Sequence, residues 1–173
     1  MKKPFVTLEQ AKKIIEQYPT PFHIYDEKGI RENARKVYDA FSWNKGFKEY
    51  FAVKATPTPG ILQVLKEEGC GMDCSSLTEL MMSEAIGCKG HDIMFSSNVT
   101  PEKDMRKAYE LGAYINLDDI THVDILRDHG GIPEEICLRF NPGGEFKLGT
   151  FVMGNPGDAK YGMTREQLTM AVQ

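Results

Sequence analysis

A lysine at the mouth of an apolar run is the first place in this sequence where covalent chemistry could start. Lys54 closes the run Phe51-Ala52-Val53-Lys54-Ala55. Apolar flanks would desolvate its amine, lower its pKa and favour the neutral form. A neutral amine beside a carbonyl is what Schiff-base chemistry needs. Asp73 closes the next apolar stretch, Cys70-Gly71-Met72-Asp73, one unit later and with no capping duty to explain it. Arg139 stands inside Ile136-Cys137-Leu138-Arg139-Phe140. A charge in a strand-like run must find a partner or a ligand if it is buried. Glu79 follows Ser76 at the spacing of a capping box, so a structural duty competes with a functional one there.

Other chemistries find less support. Cys70, Cys74, Cys88 and Cys137 form no C-x-x-C pair, and His23, His91, His122 and His129 form no H-x-x-x-H. The spacings of zinc sites are therefore missing, and buried free thiols in a reducing compartment are the expectation. The loop Asn141-Pro142-Gly143-Gly144 has the composition to cradle a phosphate. No G-x-G-x-x-G or Walker pattern accompanies it.

The elements that hold these residues repeat. Thr7 and Gln10 have capping-box spacing, and Ala11, Ile14, Ile15 and Tyr18 then share one helical face. Phe22 to Tyr25 reads as a short strand, and a helix follows from Glu27 to Phe41. Five apolar strand candidates come next: Tyr50 to Val53, Gly71 to Cys74, Asp92 to Ser96, Ala113 to Leu117 and Ile136 to Phe140. Each is followed by a helical pattern, the first opened by Thr58-Pro59 and ended by Gly69, the last opened by Thr164 with Gln167 at N3. Strand ends recur at about 20-residue intervals, the length of a βα unit with short connections. Polar residues gather at those ends: Lys54, Asp73, Ser96 to Asn98, Asn116, Arg139 and Asn141. In parallel α/β proteins that end of the sheet opens onto the ligand site.

An open doubly wound sheet and a (β/α)8 barrel share this pattern. A barrel takes about 250 residues and eight units, whereas five units are visible here and the 173 residues finish inside a helical run. We therefore expect residues 1–173 to be the N-terminal part of something larger. The net charge of −4 argues against nucleic acid, which calls for a dense basic patch. No apolar stretch approaches the roughly 20 residues of a membrane span, and the opening MKKPFVTLEQ lacks the apolar core of a signal peptide. The expected location is the cytoplasm.

Five ordered segments resemble the fold-type III pyridoxal-phosphate decarboxylases, most of all those acting on diaminopimelate. Phe51-Ala52-Val53-Lys54-Ala55 is similar to the Y-A-V-K-A lysine motif, and Thr20-Pro21-Phe22-His23-Ile24-Tyr25-Asp26 to the T-P-x-x-(V/L)-Y-D opening. The segment from Gly71 to Leu80 resembles G-x-D-x-x-S-x-x-E-L. Arg139-Phe140-Asn141-Pro142 and Lys160-Tyr161-Gly162-Met163 resemble the R-x-N-P and K-F-G segments.

That resemblance implies an alanine-racemase-like (β/α)8 TIM barrel, of which this chain supplies about the first five βα units, with a C-terminal β-domain beyond. It implies pyridoxal 5'-phosphate as cofactor, carried by Lys54 as an internal imine, with Asp73 and Arg139 around the ring and Glu79 at a further family position. The family's ring-stacking His, its glycine-rich phosphate loop, its Glu opposite the pyridine nitrogen and its C-terminal Cys and Tyr have no counterpart among these residues. The implied reaction is decarboxylation of meso-2,6-diaminopimelate to L-lysine, in a cytoplasmic homodimer with shared active sites. Decarboxylation of carboxynorspermidine, arginine or ornithine is an alternative, as is a non-catalytic truncated barrel module.

Overall fold

A computed structural model describes residues 4–144, 157 and 161–173. Two helices lead the chain, α1 (Leu8–Gln17) and α2 (Glu27–Ala40). Thr7 and Gln10 close the expected capping box on α1, and the Asp26 side chain accepts from the Gly29 N–H at the start of α2. No residue of α1 is buried. Phe22 to Tyr25, expected as a strand, has no ladder partner among the described residues. Its residues alternate between half-buried and exposed, so the segment is extended but unpaired.

Alternation of strand and helix then builds the body: β1 (Tyr50–Ala52), α3 (Pro59–Glu67), β2 (Gly71–Cys74), α4 (Leu77–Ala85), β3 (Ile93–Ser97), α5 (Glu102–Glu110), β4 (Tyr114–Leu117), α6 (Thr121–His129), β5 (Ile136–Leu138) and finally α7 (Arg165–Ala171). The strands pair in chain order, β1-β2-β3-β4-β5, and every pairing is parallel. A doubly wound sheet would reverse its strand order part-way. Monotonic order with crossovers of one hand sends every helix to the same face. The sheet is therefore the arc of a (β/α)8 barrel.

Side chains alternate across a strand, and burial follows that period. Met72, Cys74, Ile93, Phe95, Ile115 and Leu117 are fully or almost fully buried. They join Leu62, Leu80, Met105 and Leu126 of the helices in one core. The intervening residues Asp73, Met94, Ser96, Tyr114 and Asn116 are half-buried and occupy the opposite, inward face of the arc. Three strands are shorter than expected, β4 by the single residue Ala113. β1 stops at Ala52, with Val53 to Ala55 forming a single 3₁₀ turn. β5 stops at Leu138, although Phe140 makes an isolated parallel bridge to Met163.

Cys70, Cys74 and Cys88 are buried, and Cys137 is half-buried. Burial pushes the Cys74 thiol up to about 12, which leaves it a packing residue rather than a nucleophile. Among the described residues, no helix is long and apolar enough to cross a membrane.

Candidate active site

Lys54 owes its position to its neighbour. Val53 is fully buried and anchors the 3₁₀ turn that ends β1, so the next side chain is turned out of the core. Lys54 is exposed, and its Nζ donates to the Ser75 hydroxyl at 3.2 Å. The expectation of a desolvated amine is thus corrected. The apolar flanks are apolar because they serve the core, and they do not enclose the amine.

Asp73 sits one residue inside β2, in register with Ala52 of β1 and Met94 of β3. Burial pushes its carboxyl up, Lys54 and Arg139 pull it down, and Glu79 pushes it up further; the net direction is upward. Lys54, Asp73 and Arg139 stand at the carboxyl ends of β1, β2 and β5, and Glu79 in the first turn of α4, directly after β2.

Glu79 is committed locally. Its Oε2 accepts from the Ser75 N–H at 3.0 Å and its Oε1 from the Ser76 hydroxyl at 3.0 Å. The Ser76 side chain in turn caps α4 by accepting from the Glu79 N–H. The competing structural duty at this position is the one the geometry supports, and it stiffens the turn that carries Ser75.

Arg139 lies one residue beyond β5, with its backbone N–H still bonded to the Leu117 carbonyl. Its Nη1 donates to Asp118 Oδ1 at 2.9 Å, and its guanidinium lies 4.6 Å from the centre of the Tyr161 ring. Asp118 is not among the residues that the sequence singles out. The N-cap of α6 is Ile120, and Asp119, one residue before it, accepts from the Thr121 N–H at 2.9 Å. The missed signal was register: Leu117 pairs with Leu138, so the residue after each must also meet.

Further polar side chains line the inward face. Asn116 Nδ2 donates to the Ser96 hydroxyl at 3.0 Å. Asn141 holds its loop by accepting from the Gly143 N–H and donating to the Tyr161 carbonyl. Lys160, part of the K-Y-G-M segment, lies outside the described residues.

The family model for pyridoxal-dependent decarboxylases, pyridoxal binding domain, matches residues 27–173. Protein TabA of Pseudomonas amygdali pv. tabaci is 41% identical over 154 residues, covering 89% of this chain and 36% of that protein. A diaminopimelate decarboxylase of Thermoplasma acidophilum is 33% identical over 165 residues, covering 94% of this chain and 38% of that protein. The chain thus spans little more than a third of the length of these curated relatives. A crystal structure of diaminopimelate decarboxylase from M. jannaschi superposes with a TM-score of 0.83 at 22% identity, over 94% of this chain and 41% of that one. At that identity the likeness is one of fold.

Proposed function

From the premise that this chain belongs to the pyridoxal-dependent decarboxylases, by their pyridoxal-binding domain, we propose that it holds pyridoxal phosphate through the Lys54 amine in a decarboxylase acting on an amino acid. The arc would be the first part of one barrel domain. The observation that supports this reading is that Lys54, Asp73 and Arg139 all stand at the carboxyl ends of strands of one parallel sheet, β1, β2 and β5.

The residues present fit the cofactor. Lys54 offers an exposed amine to an aldehyde. Asp73 offers a half-buried carboxyl that no hydrogen bond within the described residues holds in its charged form. Its oxygens are not enclosed, so a polar or cationic ligand group can reach them. Arg139 supplies a fixed cation for an anionic oxygen.

When bound, pyridoxal phosphate supplies the electron sink that lets an amino acid lose carbon dioxide. The chain's own part is to bind and orient. Ser75 directs the Lys54 amine toward the β2 side of the mouth. Asp73 and Arg139 set the charge around the ring from β2 and from the residue after β5. Lys54 would also be placed to move a proton at its Nζ.

For the substrate, we propose meso-2,6-diaminopimelate with L-lysine as product, supported by the likeness to the diaminopimelate decarboxylase of Thermoplasma acidophilum. The higher identity to Protein TabA favours a second reading, in which a related amino acid is decarboxylated. A cytoplasmic homodimer with shared sites belongs to the same proposal. The test is borohydride reduction of the protein with pyridoxal phosphate, then peptide mass mapping. The expected label is on Lys54; label on another lysine with Lys54 unmodified overturns the assignment. Carbon dioxide release from diaminopimelate, lysine, ornithine and arginine, compared side by side, decides between the substrates.

A further inference from the structure

We infer that Asp118 is a positioning residue for Arg139, fixing the direction in which that guanidinium faces the bound cofactor; this rests on the reading that Arg139 faces the cofactor. Asp118 is the residue after β4, and its side chain is 2% exposed, whereas that of Arg139 is 40% exposed. A carboxylate so deeply buried is costly unless its oxygens are paired. Both are: Oδ1 accepts from Arg139 Nη1 at 2.9 Å and Oδ2 from the Gly162 N–H at 3.3 Å.

The arrangement pins the guanidinium on two sides. Asp118 holds one nitrogen, and the Tyr161 ring lies against it, 4.6 Å away. An arginine has five N–H donors in a rigid planar fork, so fixing one nitrogen and one face fixes where the others point. The second anchor of Asp118 is also specific. Gly162 has φ +81, and a Cβ there would come within 3.0 Å of the Asn141 nitrogen and 3.1 Å of the Arg139 carbonyl. A side chain at that position would push away the N–H that Asp118 receives. Asp118 therefore ties the ends of β4 and β5 and the segment from Tyr161 to Met163 into one support behind Arg139.

The experiment is a titration with pyridoxal phosphate, followed by absorbance, of wild type, Asp118→Asn, Arg139→Ala and the double variant. The melting temperature of each cofactor-free protein is measured alongside. We expect Asp118→Asn to weaken binding about tenfold, the scale of one charge-assisted hydrogen bond. The double variant should bind no more weakly than Arg139→Ala alone, because Asp118 acts through Arg139. If Arg139→Ala weakens binding and Asp118→Asn lowers only the melting temperature, Asp118 is structural and the inference is wrong. Additive losses in the double variant overturn it equally. If Arg139→Ala leaves binding unchanged, the reading of Arg139 itself fails, and the inference falls with it. Should Asp118→Asn not fold, Asp118→Glu replaces it, keeping the charge but displacing it by one methylene. The same tenfold loss is expected, and unchanged binding overturns the inference.

Discussion

The Lys54 amine reaches the Ser75 hydroxyl at 3.2 Å, joining the turn after β1 to the turn after β2. Glu79 braces that contact from behind by accepting the Ser75 N–H. A lysine on four flexible bonds is thereby given a direction without being buried. Glu79 in the first turn of α4 and Lys54 in the turn after β1 thus belong to one hydrogen-bonded unit, although they are 25 positions apart in sequence.

Replacing Ser75 by Ala tests that unit. The backbone bond to Glu79 survives, and the lost hydrogen bond is exposed, so stability should change by less than about 0.5 kcal/mol. The fraction of Lys54 trapped with pyridoxal phosphate by borohydride should fall several-fold, because the amine is no longer aimed. Urea denaturation and peptide mass mapping of the same preparation read both quantities. A large stability loss with unchanged trapping would assign Ser75 to the fold instead.

Asp73→Asn separates function from stability by pH. Burial raises the Asp73 carboxyl above its ordinary value of 3.8, so the native state binds this proton more tightly than the unfolded chain does. Stability from this group is complete below 3.8 and is lost as pH rises through the raised native value. The cofactor-free variant should therefore gain on wild type as pH increases across that window, while its affinity for pyridoxal phosphate falls. Denaturation midpoints from pH 3.5 to 7.5 check the first half. A stability difference independent of pH would show that Asp73 does not titrate as its burial implies.

The repeating units were legible because buried parallel strands are short apolar runs, and β2 falls on Gly71 to Cys74 as the pattern requires. Local caps were legible for the same kind of reason. Thr164 and Gln167 form their capping box from residues three apart. What failed was pairing between distant residues. Phe22 to Tyr25 has strand-like composition, yet nothing in four residues states whether a ladder partner exists. Val53 extends the apolar run of β1 but is apolar because it plugs the core beneath a turn. Asp118 was invisible as the partner of Arg139, 21 positions away, since only the β4–β5 register brings them together.

Gly71 carries a prediction for packing rather than chemistry. A Cβ there would lie 2.6 Å from two carbons of the Tyr50 ring and 2.9 Å from the Asp92 carbonyl. The ring cannot readily swing aside, because its hydroxyl donates to the His91 carbonyl at 2.6 Å. Gly71→Ala should therefore destabilise the protein by about 1–3 kcal/mol, the usual range for overpacking. Urea denaturation measures this directly. A variant as stable as wild type would mean that β1 shifts to make room.

His122 carries a prediction for the acid side of the stability profile. It is buried in the first turn of α6, and its Nδ1 has no hydrogen-bond partner among the described residues. Burial lowers its pKa below the ordinary imidazole value of 6.5, only partly opposed by Asp119 and Asp118. The unfolded chain therefore takes up this proton before the native state does. The stability from His122 is complete above 6.5 and is lost as pH falls through the lowered native value. His122→Gln cannot titrate, so its stability relative to wild type should improve steadily from pH 7.5 down to 5. The other three histidines remain in both proteins and drop out of the comparison, provided the sites do not interact. Urea midpoints at half-unit intervals across this range provide the measurement. Parallel curves for the two proteins would place the acid sensitivity elsewhere and would mean that His122 takes its proton as readily folded as unfolded.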